Sequence, residues 1–552
     1  MISGYYESDN FLGIRWLRYR LASFMLCLCI STPIQLTAAQ IVYVSNHLNR
    51  STEAYVADPV SGGLTQIPFS ATAYQTGIGP IGLAVDSKGN FLYVGNEGFT
   101  GSGTTENGSV SAFTINASTG ALANINGSPF SAGANSCPQD VVVHPTGSFV
   151  YVSNGCYPSG SPPPIGSPYP DLLGYAVNPL SGALIQVPGS PFLGGVGPQQ
   201  MTIDSGGKCL YVISANFYSQ TDFRLLSVIS AYSINAFTGA LTQVQSYPFP
   251  VGIGVSDLAV DASGRFLYAV AAGSIFAYTI NSSDGSLTPV PGSPFAGPPS
   301  GTNLAVDPAD RFIFISSYPV NSVAAYTINT SNGTLAPVPG SPWATGSGPD
   351  GLAVDPTGHF LYVANNTYPS SISAYSINGD TGALAAISGS PFPALFGASK
   401  LAIFSPPSPT VTNLTPDSAP GGGATFTLTV NGTGFASGAT VQWNGSALPT
   451  TFVSAIRVTA SVTSMLIASA GTATVTVSIG GVTSNGAVFT IKKNLCDINN
   501  DGTVDVSDVQ LVTTQALGVT QSVSDLNGDG RVNVVDVQIV INAALGRGCS
   551  AT

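Results

Sequence analysis

GPDGLAVDPTGHFLYVANNTYPSSISAYSINGDTGALAAISGSPF, residues 348–392, is the clearest copy of a unit that repeats through residues 41–404. Four strand-like runs stand out in this copy, LAVD, HFLYVAN, SISAYSI and ALAAI, and turn residues separate them. Six copies are complete, while the first copy (residues 41–69) begins at its second strand. Residues 400–404, after the last copy, supply the missing strand. Sharing one blade between both ends closes a ring, so the sequence predicts a seven-bladed β-propeller over residues 40–404.

Two features of the repeat favour this fold. The first turn of each full unit carries an acidic residue or its histidine replacement, which accepts hydrogen bonds from turn amides; these are Asp86, His144, Asp204, Asp261, Asp307 and Asp355. The apolar Phe-Leu-Tyr-Val run of the second strand fits a strand that buries both faces between neighbouring blades.

The strand endings of the repeat carry a family resemblance. They read Val44-Ser45-Asn46, Val152-Ser153-Asn154 and Val363-Ala364-Asn365. With these endings, the region resembles the lactonase-like and YVTN-type propellers of bacteria. The resemblance implies the fold rather than an activity, because propellers host many functions.

Catalysis by the ring has few candidate residues. A lactonase needs a general base and groups that stabilise a developing oxyanion. His47, at the end of a strand, and Glu97, in a loop, are the best candidates, although Glu97 also fits a solvated loop residue. No His-Arg-Glu cluster of the kind expected for phosphogluconolactonase-like enzymes is evident. We therefore assign no catalytic residue and keep a lactonase-like hydrolase as the alternative.

Long loops in the ring indicate a binding face. They span residues 98–108, 157–171 and 217–224 in blades two to four. Loops on a rigid ring commonly bind glycan or protein. The tyrosines that could stack on a sugar, or could be ordinary surface residues, are Tyr157, Tyr169, Tyr218 and Tyr368.

A second domain follows a stiff Pro-rich spacer at residues 405–409. Residues 410–492 show short alternating strands punctuated by Asn-Gly turns, which are hairpin signals. The order TPDSAPGGGATFTLTVNGTGF, VQWNG, VTVSIGGVTSNGAVFTI resembles an IPT/TIG domain, an immunoglobulin-like β-sandwich. We expect Trp443 to pack in or beside its core. The resemblance implies a module that spaces or presents its neighbours.

The last sixty residues contain one calcium-loop pattern twice, DINNDGTVDVSD at 497–508 and DLNGDGRVNVVD at 525–536. Oxygen side chains fall at loop positions one, three, five, nine and twelve, Gly stands at six, and position seven offers its carbonyl. The predicted ligands of two Ca²⁺ ions are Asp497, Asn499, Asp501, Thr503, Asp505 and Asp508 in loop one, and Asp525, Asn527, Asp529, Arg531, Asn533 and Asp536 in loop two. Acid-rich turns without metal are the alternative.

Position twelve is Asp rather than Glu, and each loop is expected to run into one short helix, at 509–517 and 537–545. This duplicated unit resembles a type I dockerin over residues 496–549, within a module of residues 494–552. The resemblance implies calcium-dependent docking onto a cohesin-like partner and a link with polysaccharide breakdown. The positions that dockerins use for cohesin contact depart from the common pattern, with Val506-Ser507 and Val534-Val535.

Cysteines and the N-terminus indicate the compartment. Arginines before an apolar run, with a small-residue site ending at Ala39, predict a signal peptide over residues 1–39 that leaves no transmembrane segment after cleavage. In an oxidising compartment we expect a Cys137–Cys156 disulfide, because the two flank one predicted hairpin, and a clasp between Cys496 and Cys549 around the dockerin-like module. Cys209 is expected to be a buried apolar residue.

Composition excludes some functions. Charged residues are 8% of the chain, the formal net charge is −12, and no basic stripe is present, so nucleic acid is not an expected partner. The sequence therefore predicts a mainly all-β, secreted or cell-surface bacterial protein without catalysis. Its parts are a seven-bladed propeller, an Ig-like sandwich and a small helical calcium module. A purely structural surface protein is a further alternative.

Overall fold

The computed structural model describes residues 40–67, 74–99, 106–117, 119–133, 136–155, 170–195, 197–218, 225–244, 249–406, 408–435, 438–479 and 482–549. Within these ranges, strands occupy the chain as far as Lys492, and the two α-helices follow. Two short 3-10 helices, Tyr318–Val320 and Ser464–Ile467, interrupt the strands.

The first thirty-four strands of the described residues form seven sheets. Blades one to four contain β1 (Gln40–Asn46), β2 (Ser51–Ala57), β3 (Leu64–Gln66), β4 (Pro80–Val85), β5 (Phe91–Asn96), β6 (Ser109–Ile115), β7 (Leu122–Asn124), β8 (Phe130–Ser131), β9 (Pro138–Val143), β10 (Phe149–Asn154), β11 (Pro170–Val177), β12 (Leu184–Gln186), β13 (Phe192–Leu193), β14 (Pro198–Ile203), β15 (Cys209–Tyr218), β16 (Leu225–Ile234), β17 (Leu241–Gln243) and β18 (Phe249–Ile253). Blades five to seven and the closing strand contain β19 (Val255–Val260), β20 (Phe266–Ala271), β21 (Ser274–Ile280), β22 (Leu287–Pro289), β23 (Phe295–Ala296), β24 (Gly301–Val306), β25 (Phe312–Ser317), β26 (Ser322–Ile328), β27 (Leu335–Pro337), β28 (Trp343–Ala344), β29 (Pro349–Val354), β30 (Phe360–Asn365), β31 (Ser371–Ile377), β32 (Leu384–Ala386), β33 (Phe392–Pro393) and β34 (Ala398–Phe404).

The ring closes as the repeat predicts. β34 pairs antiparallel with β1, with Ile41 opposite Phe404, and completes the sheet β3-β2-β1-β34. Each other blade runs outward through four antiparallel strands, from the inner strand β4, β9, β14, β19, β24 or β29. The N- and C-terminal strands of the ring therefore share blade one, which removes its free edge.

Buried tyrosines of the second strands tie each blade to the next. The Tyr93 hydroxyl donates to the Gly182 carbonyl oxygen at 2.9 Å, and the Tyr362 hydroxyl donates to that of Gly62, also at 2.9 Å, across the closure. Turn aspartates stabilise the hairpins, as predicted: Asp86 Oδ1 accepts from the amides of Asn90 and Phe91 at 2.6 and 2.7 Å. The ring is therefore a rigid frame for its loops.

The ring has two faces because its strands alternate in direction. One face carries the inner-to-second-strand turns. The other, here called the loop face, carries the loops between the second and third strands and the connections that lead into each inner strand. The described ends of the predicted long loops, residues 98–99, 106–108, 170–171 and 217–218, lie at the loop face.

The second domain is a two-sheet sandwich, as predicted. Its strands are β35 (Thr410–Thr415), β36 (Ser418–Pro420), β37 (Phe426–Thr433), β38 (Thr440–Trp443), β39 (Ser446–Ala447), β40 (Thr450–Ser454), β41 (Arg457–Val462), β42 (Gly471–Ile479), β43 (Val482–Thr483) and β44 (Ala487–Lys492). One sheet has the order β35-β37-β41-β40, and the other contains β36-β44-β42-β38-β39 with β43 on β42. Trp443 is buried between them and packs on Phe489, with ring centroids 5.1 Å apart.

The C-terminal part folds around α1 (Val506–Ala516) and α2 (Val534–Ala544). Both helices begin three residues before the predicted positions, so the predicted boundaries were wrong. The reason is that Asp505 and Asn533 act as N-caps, which places the last three loop positions inside the first helical turn. A disulfide joins Cys496 to Cys549, with Cα atoms 5.8 Å apart, as predicted.

Some predictions fall outside the described residues. These are the signal peptide, Cys156, Tyr157, Tyr169, the side chain of Tyr218, and the parts of the three predicted loops at residues 100–105, 157–169 and 219–224. Cys137 is disulfide-bonded. Cys209 is buried and free, and burial raises the pKa of its thiol to about 11, which fits an apolar filler. No helix in the described ranges is both long and apolar enough to cross a membrane.

Candidate functional site

The first calcium loop is organised around its own carboxylates. Asp497 accepts hydrogen bonds from the amides of Asp501 at 3.1 Å and Gly502 at 3.0 Å. Gly502 has φ +91°, a conformation that favours glycine and turns the chain sharply at position six. These hydrogen bonds, with one from the Asp501 amide to Asn499 Oδ1 at 2.9 Å, hold positions one, three and five in one turn.

The second loop repeats this geometry. Asp525 accepts from the amides of Asp529 at 3.2 Å and Gly530 at 2.7 Å, and Gly530 has φ +84°. In both loops the asparagine at position three donates its amide to the aspartate at position five, at 2.8 Å in loop one and 3.1 Å in loop two. The two loops therefore have the same conformation, which indicates that their shared pattern of Asp, Asn and Gly residues determines it.

Position twelve links each loop to its helix. Asp508 and Asp536 are fully buried. Asp508 accepts from the amides of Ile498 at 2.7 Å and Asn499 at 3.0 Å, and its other oxygen accepts from Asp505 at 2.9 Å. Asp536 makes the equivalent three bonds in loop two. Each carboxylate thus completes the capping box of its helix with one oxygen and accepts two loop amides with the other.

The donor set fits a hard cation. Carboxylate, amide and carbonyl oxygens are the ligands of Ca²⁺, which takes six to eight of them at about 2.3–2.6 Å. Hydrogen bonds from Thr503 hold the pKa of Asp501 below its usual range, and Asn527 does the same for Asp529. In the described part of the chain no three His, Cys, Asp or Glu side chains converge on one metal position. The predicted carboxylate ligands of each loop are therefore not brought together as a metal cluster in this structure.

A side-chain pair on the loop face joins the two residues singled out for catalysis. His47 Nε2 lies 2.5 Å from Glu97 Oε1, although the two residues come from blades one and two. The backbone holds both, because the His47 amide donates to the Gly397 carbonyl at 2.9 Å and the Glu97 amide to that of Gly79 at 2.9 Å. A carboxylate that orients an imidazole can support general-base chemistry.

The central channel carries a ring of polar side chains. They occupy the third position of the inner strands, or the residue before it, and are Asp140, Gln200, Asp257, Asn303, Asp350 and Lys400. All of them except Asp350 line a cavity of about 420 Å³ between the inner strands. The Lys400 ammonium donates to Gln200 Oε1 at 2.9 Å and to Asn303 Oδ1, so the closing strand β34 reaches across the channel.

Two of these aspartates join neighbouring blades. Asp140 accepts from the amides of Val141 and Met201, both at 2.9 Å, and Asp257 accepts from Leu258 and Leu304 at 2.9 and 3.0 Å. These amides lie on the inner edge of the sheets, where no further strand can pair with them.

Burial controls the charge of the channel. Burial raises the pKa of Asp140 to about 6 and that of Asp257 above its ordinary value. Burial acts to lower the pKa of Lys400, but the carboxylates of Asp257, Asp140 and Asp350 outweigh it and raise that pKa. Lys400 is therefore charged and stabilised by the surrounding carboxylates.

Sequence reasoning missed the channel ring. The signal was present, because aligning the repeats by their LAVD-like strands gives Gly82, Asp140, Gln200, Asp257, Asn303, Gly351 and Lys400 in one column. Five of these seven residues are polar or charged, and a hydrophobic residue follows each of the seven, which distinguishes this column from the apolar core of the blades.

Family models match three parts of the chain. The Lactonase, 7-bladed beta-propeller family matches residues 228–393, the IPT/TIG domain matches residues 409–491, and the Dockerin type I domain matches residues 495–545. They follow one another in the order predicted from the sequence. A type I dockerin domain implies calcium binding and a cohesin partner, and such domains typically occur in secreted or cell-surface proteins.

Solved structures share the propeller. A putative 6-phosphogluconolactonase from Bacteroides fragilis is 18% identical with a TM-score of 0.51, over 66% of this chain and 98% of its own. The periplasmic gluconolactonase of Pseudomonas aeruginosa is 17% identical with a TM-score of 0.52, over 67% of this chain and 100% of its own. At these identities the likeness concerns the fold alone. No curated protein matches the chain.

Proposed function

We propose that this chain, which carries a lactonase-type seven-bladed propeller, an IPT/TIG domain and a type I dockerin domain, is a secreted binding or scaffold protein. Its dockerin domain takes two Ca²⁺ ions and docks onto a cohesin-like partner, while the propeller presents its loop face to a ligand. The observation that carries this proposal is the pair of calcium loops with matching hydrogen bonds. A polysaccharide-degrading assembly is the setting that the dockerin domain favours.

The surface offered to a partner is apolar. Val506 is 66% exposed in the first half of the module, and Val534 and Val535 are 76% and 46% exposed in the second. These residues begin the helices that calcium binding would anchor. Docking would therefore bury aliphatic side chains and depend on the loops that position them.

A pull-down with the full chain tests this function. The chain is immobilised and exposed to the secreted fraction of its host, with calcium and with chelator. We expect a cohesin-bearing protein to be retained only with calcium. Recovery of the same partner in equal amount with chelator would contradict calcium-dependent docking.

A hydrolase is the second candidate, and the His47–Glu97 contact of 2.5 Å is the observation that favours it. His47 would act as the general base toward a lactone, and Glu97 would orient its ring. The test is hydrolysis of sugar-acid lactones by the full chain. Activity that disappears in both His47→Gln and Glu97→Gln supports this candidate, whereas no activity above the spontaneous rate removes it.

A further inference from the structure

Three exposed aromatic rings lie together on the loop face of blades six, seven and one. Tyr318, Tyr368 and Phe396 are 46%, 76% and 40% exposed. The rings of Tyr368 and Phe396 meet edge to face, with centroids 5.7 Å apart. The Tyr318 hydroxyl lies 3.3 Å from Oγ1 of Thr367, the residue before Tyr368. These three residues are called the aromatic row below.

Fixed backbone holds the blade-six end of the aromatic row. Gly348 has φ +67°, and a Cβ built on it would lie 2.2 Å from Thr367 Oγ1 and 3.0 Å from Tyr318 Cε2. The Gly348 amide donates to Asn321 Oδ1 at 2.8 Å, and its carbonyl accepts from Asn366 at 2.8 Å. A glycine turn thus clamps the loops of blades six and seven against each other.

The other end of the row is held by a buried carboxylate. Glu53 is 1% exposed and accepts from the Leu395 amide at 2.8 Å. The Gly397 amide donates to Ser370 Oγ at 3.1 Å, and the Gly397 carbonyl accepts from His47. Phe396 therefore stands between two anchored residues, and its exposure is built into the fold. A preordered surface loses little conformational entropy when it binds.

Polar groups alternate with the rings. Thr367 lies between Tyr318 and Tyr368, and the His47–Glu97 pair follows Phe396 along the face. Asn366 borders the row, and its amide donates to Asp350 Oδ2 at 3.3 Å, at the channel mouth. Ring faces and hydrogen-bonding groups are both available within one surface.

This pattern matches the chemistry of a sugar. A pyranose ring has a face of C–H groups, which the electron-rich face of an aromatic ring attracts, and an edge of hydroxyls, which need hydrogen-bond partners. A protein partner would call for a continuous apolar patch. The exposed side chains of Leu48, Val320 and Leu395 adjoin the row, but hydroxyl, amide, imidazole and carboxylate groups lie between its rings. The alternation favours a carbohydrate over an apolar protein surface.

We propose that the aromatic row of Tyr318, Tyr368 and Phe396 is an oligosaccharide-binding platform, with Thr367 and the His47–Glu97 pair as hydrogen-bonding partners. This assignment rests on the proposed binding role of the propeller and gives that role a ligand class. Because the row belongs to the propeller, its occupancy does not depend on the calcium loops.

Titration of the full chain with neutral hexasaccharides of β-1,4-linked glucose, xylose, mannose and N-acetylglucosamine tests the platform. We expect saturable binding of at least one of them, weakened about tenfold or more in Tyr368→Ala and retained in Tyr368→Phe, which keeps the ring. Phe237→Ala is the matched control, because Phe237 is 95% exposed on the opposite face of the ring. This control should bind as the unchanged chain does.

Three results would overturn the platform. They are no binding of any of the four hexasaccharides, equal binding by Tyr368→Ala, and dimers of the unchanged chain that Tyr368→Ala converts to monomers. Chelator separates this proposal from the docking function. It should abolish cohesin binding and leave the oligosaccharide affinity unchanged, so either property can fail without the other.

Discussion

At the scale of single residues, buried aspartates stabilise both the calcium loops and the channel of the propeller. Asp508 and Asp536 at the calcium loops, and Asp140 and Asp257 in the channel, all accept backbone amides that have no partner in a strand or helix. A buried anion is tolerated where such donors replace water. In the loops these donors are amides of the loop itself, whereas in the channel the carboxylates also surround Lys400.

Removing one loop carboxylate tests the number of calcium ions. Asp525→Ala deletes the position-one ligand and the acceptor for the Gly530 amide at 2.7 Å. We expect calorimetric titration of the full chain to show two ions per chain, and one in this variant. Asp417→Ala, at an exposed aspartate of the sandwich, should keep two. Two ions in Asp525→Ala would contradict the ligand assignment.

The pH dependence of stability tests the channel. Burial raises the pKa of Asp140 from 3.8 to about 6, so the folded chain binds this proton more tightly than the unfolded chain. The associated stabilisation, about 3 kcal/mol, is complete below pH ~4 and is lost as the pH rises through about 6. Thermal unfolding between these values should therefore show a smaller loss of stability in Asp140→Asn than in the unchanged chain. The control Asp417→Asn, at an exposed aspartate of the sandwich, should follow the unchanged chain, and identical profiles for all three chains would refute the effect.

The sequence predicted some individual site residues, but it did not predict which of them are in contact. The predicted loop ligands follow a fixed spacing, which the sequence shows twice. The His47–Glu97 contact joins residues 50 positions apart, so the sequence named both residues without bringing them together. The sequence named only Tyr368 of the aromatic row, because Tyr318 comes from the neighbouring blade six and Phe396 from the connection into β34.

At the scale of elements, the closing strand β34 has two roles. It completes blade one by pairing with β1, and it brings Lys400 into the channel opposite β14 and β24. The repeat predicted the pairing because the first copy lacks a strand. The ionic contacts were not predictable, since they depend on which inner strands face one another across the ring.

Lys400→Met tests the second role of β34. This change removes the ammonium and leaves the carboxylates of Asp140, Asp257 and Asp350 without their cation. We expect a loss of about 3–5 kcal/mol from the unfolding free energy of the propeller. Chemical denaturation measures this loss, with Lys492→Met, at an exposed lysine of β44, as the control. Unchanged stability in Lys400→Met would show that the channel carboxylates are protonated or hydrated instead.

The whole molecule joins a ring, a sandwich and a calcium module, and their order was predicted from the sequence. The modules were predictable because each has a local signature: a repeated strand unit, a series of hairpin turns, and a duplicated loop. The helix starts were wrong by three residues because the capping residues Asp505 and Asn533 are also loop residues. The side chains proposed for catalysis and for ligand binding come from different blades, and only the folded ring brings them together.

Binding of the full chain to isolated type I cohesin modules, with calcium and then with chelator, tests the central claim most directly. The account predicts saturable binding with calcium, its loss with chelator, and its loss in the double variant Asp497→Ala/Asp525→Ala with calcium present. A chain that takes up two calcium ions and binds no cohesin, or one that binds equally well without calcium, would contradict it.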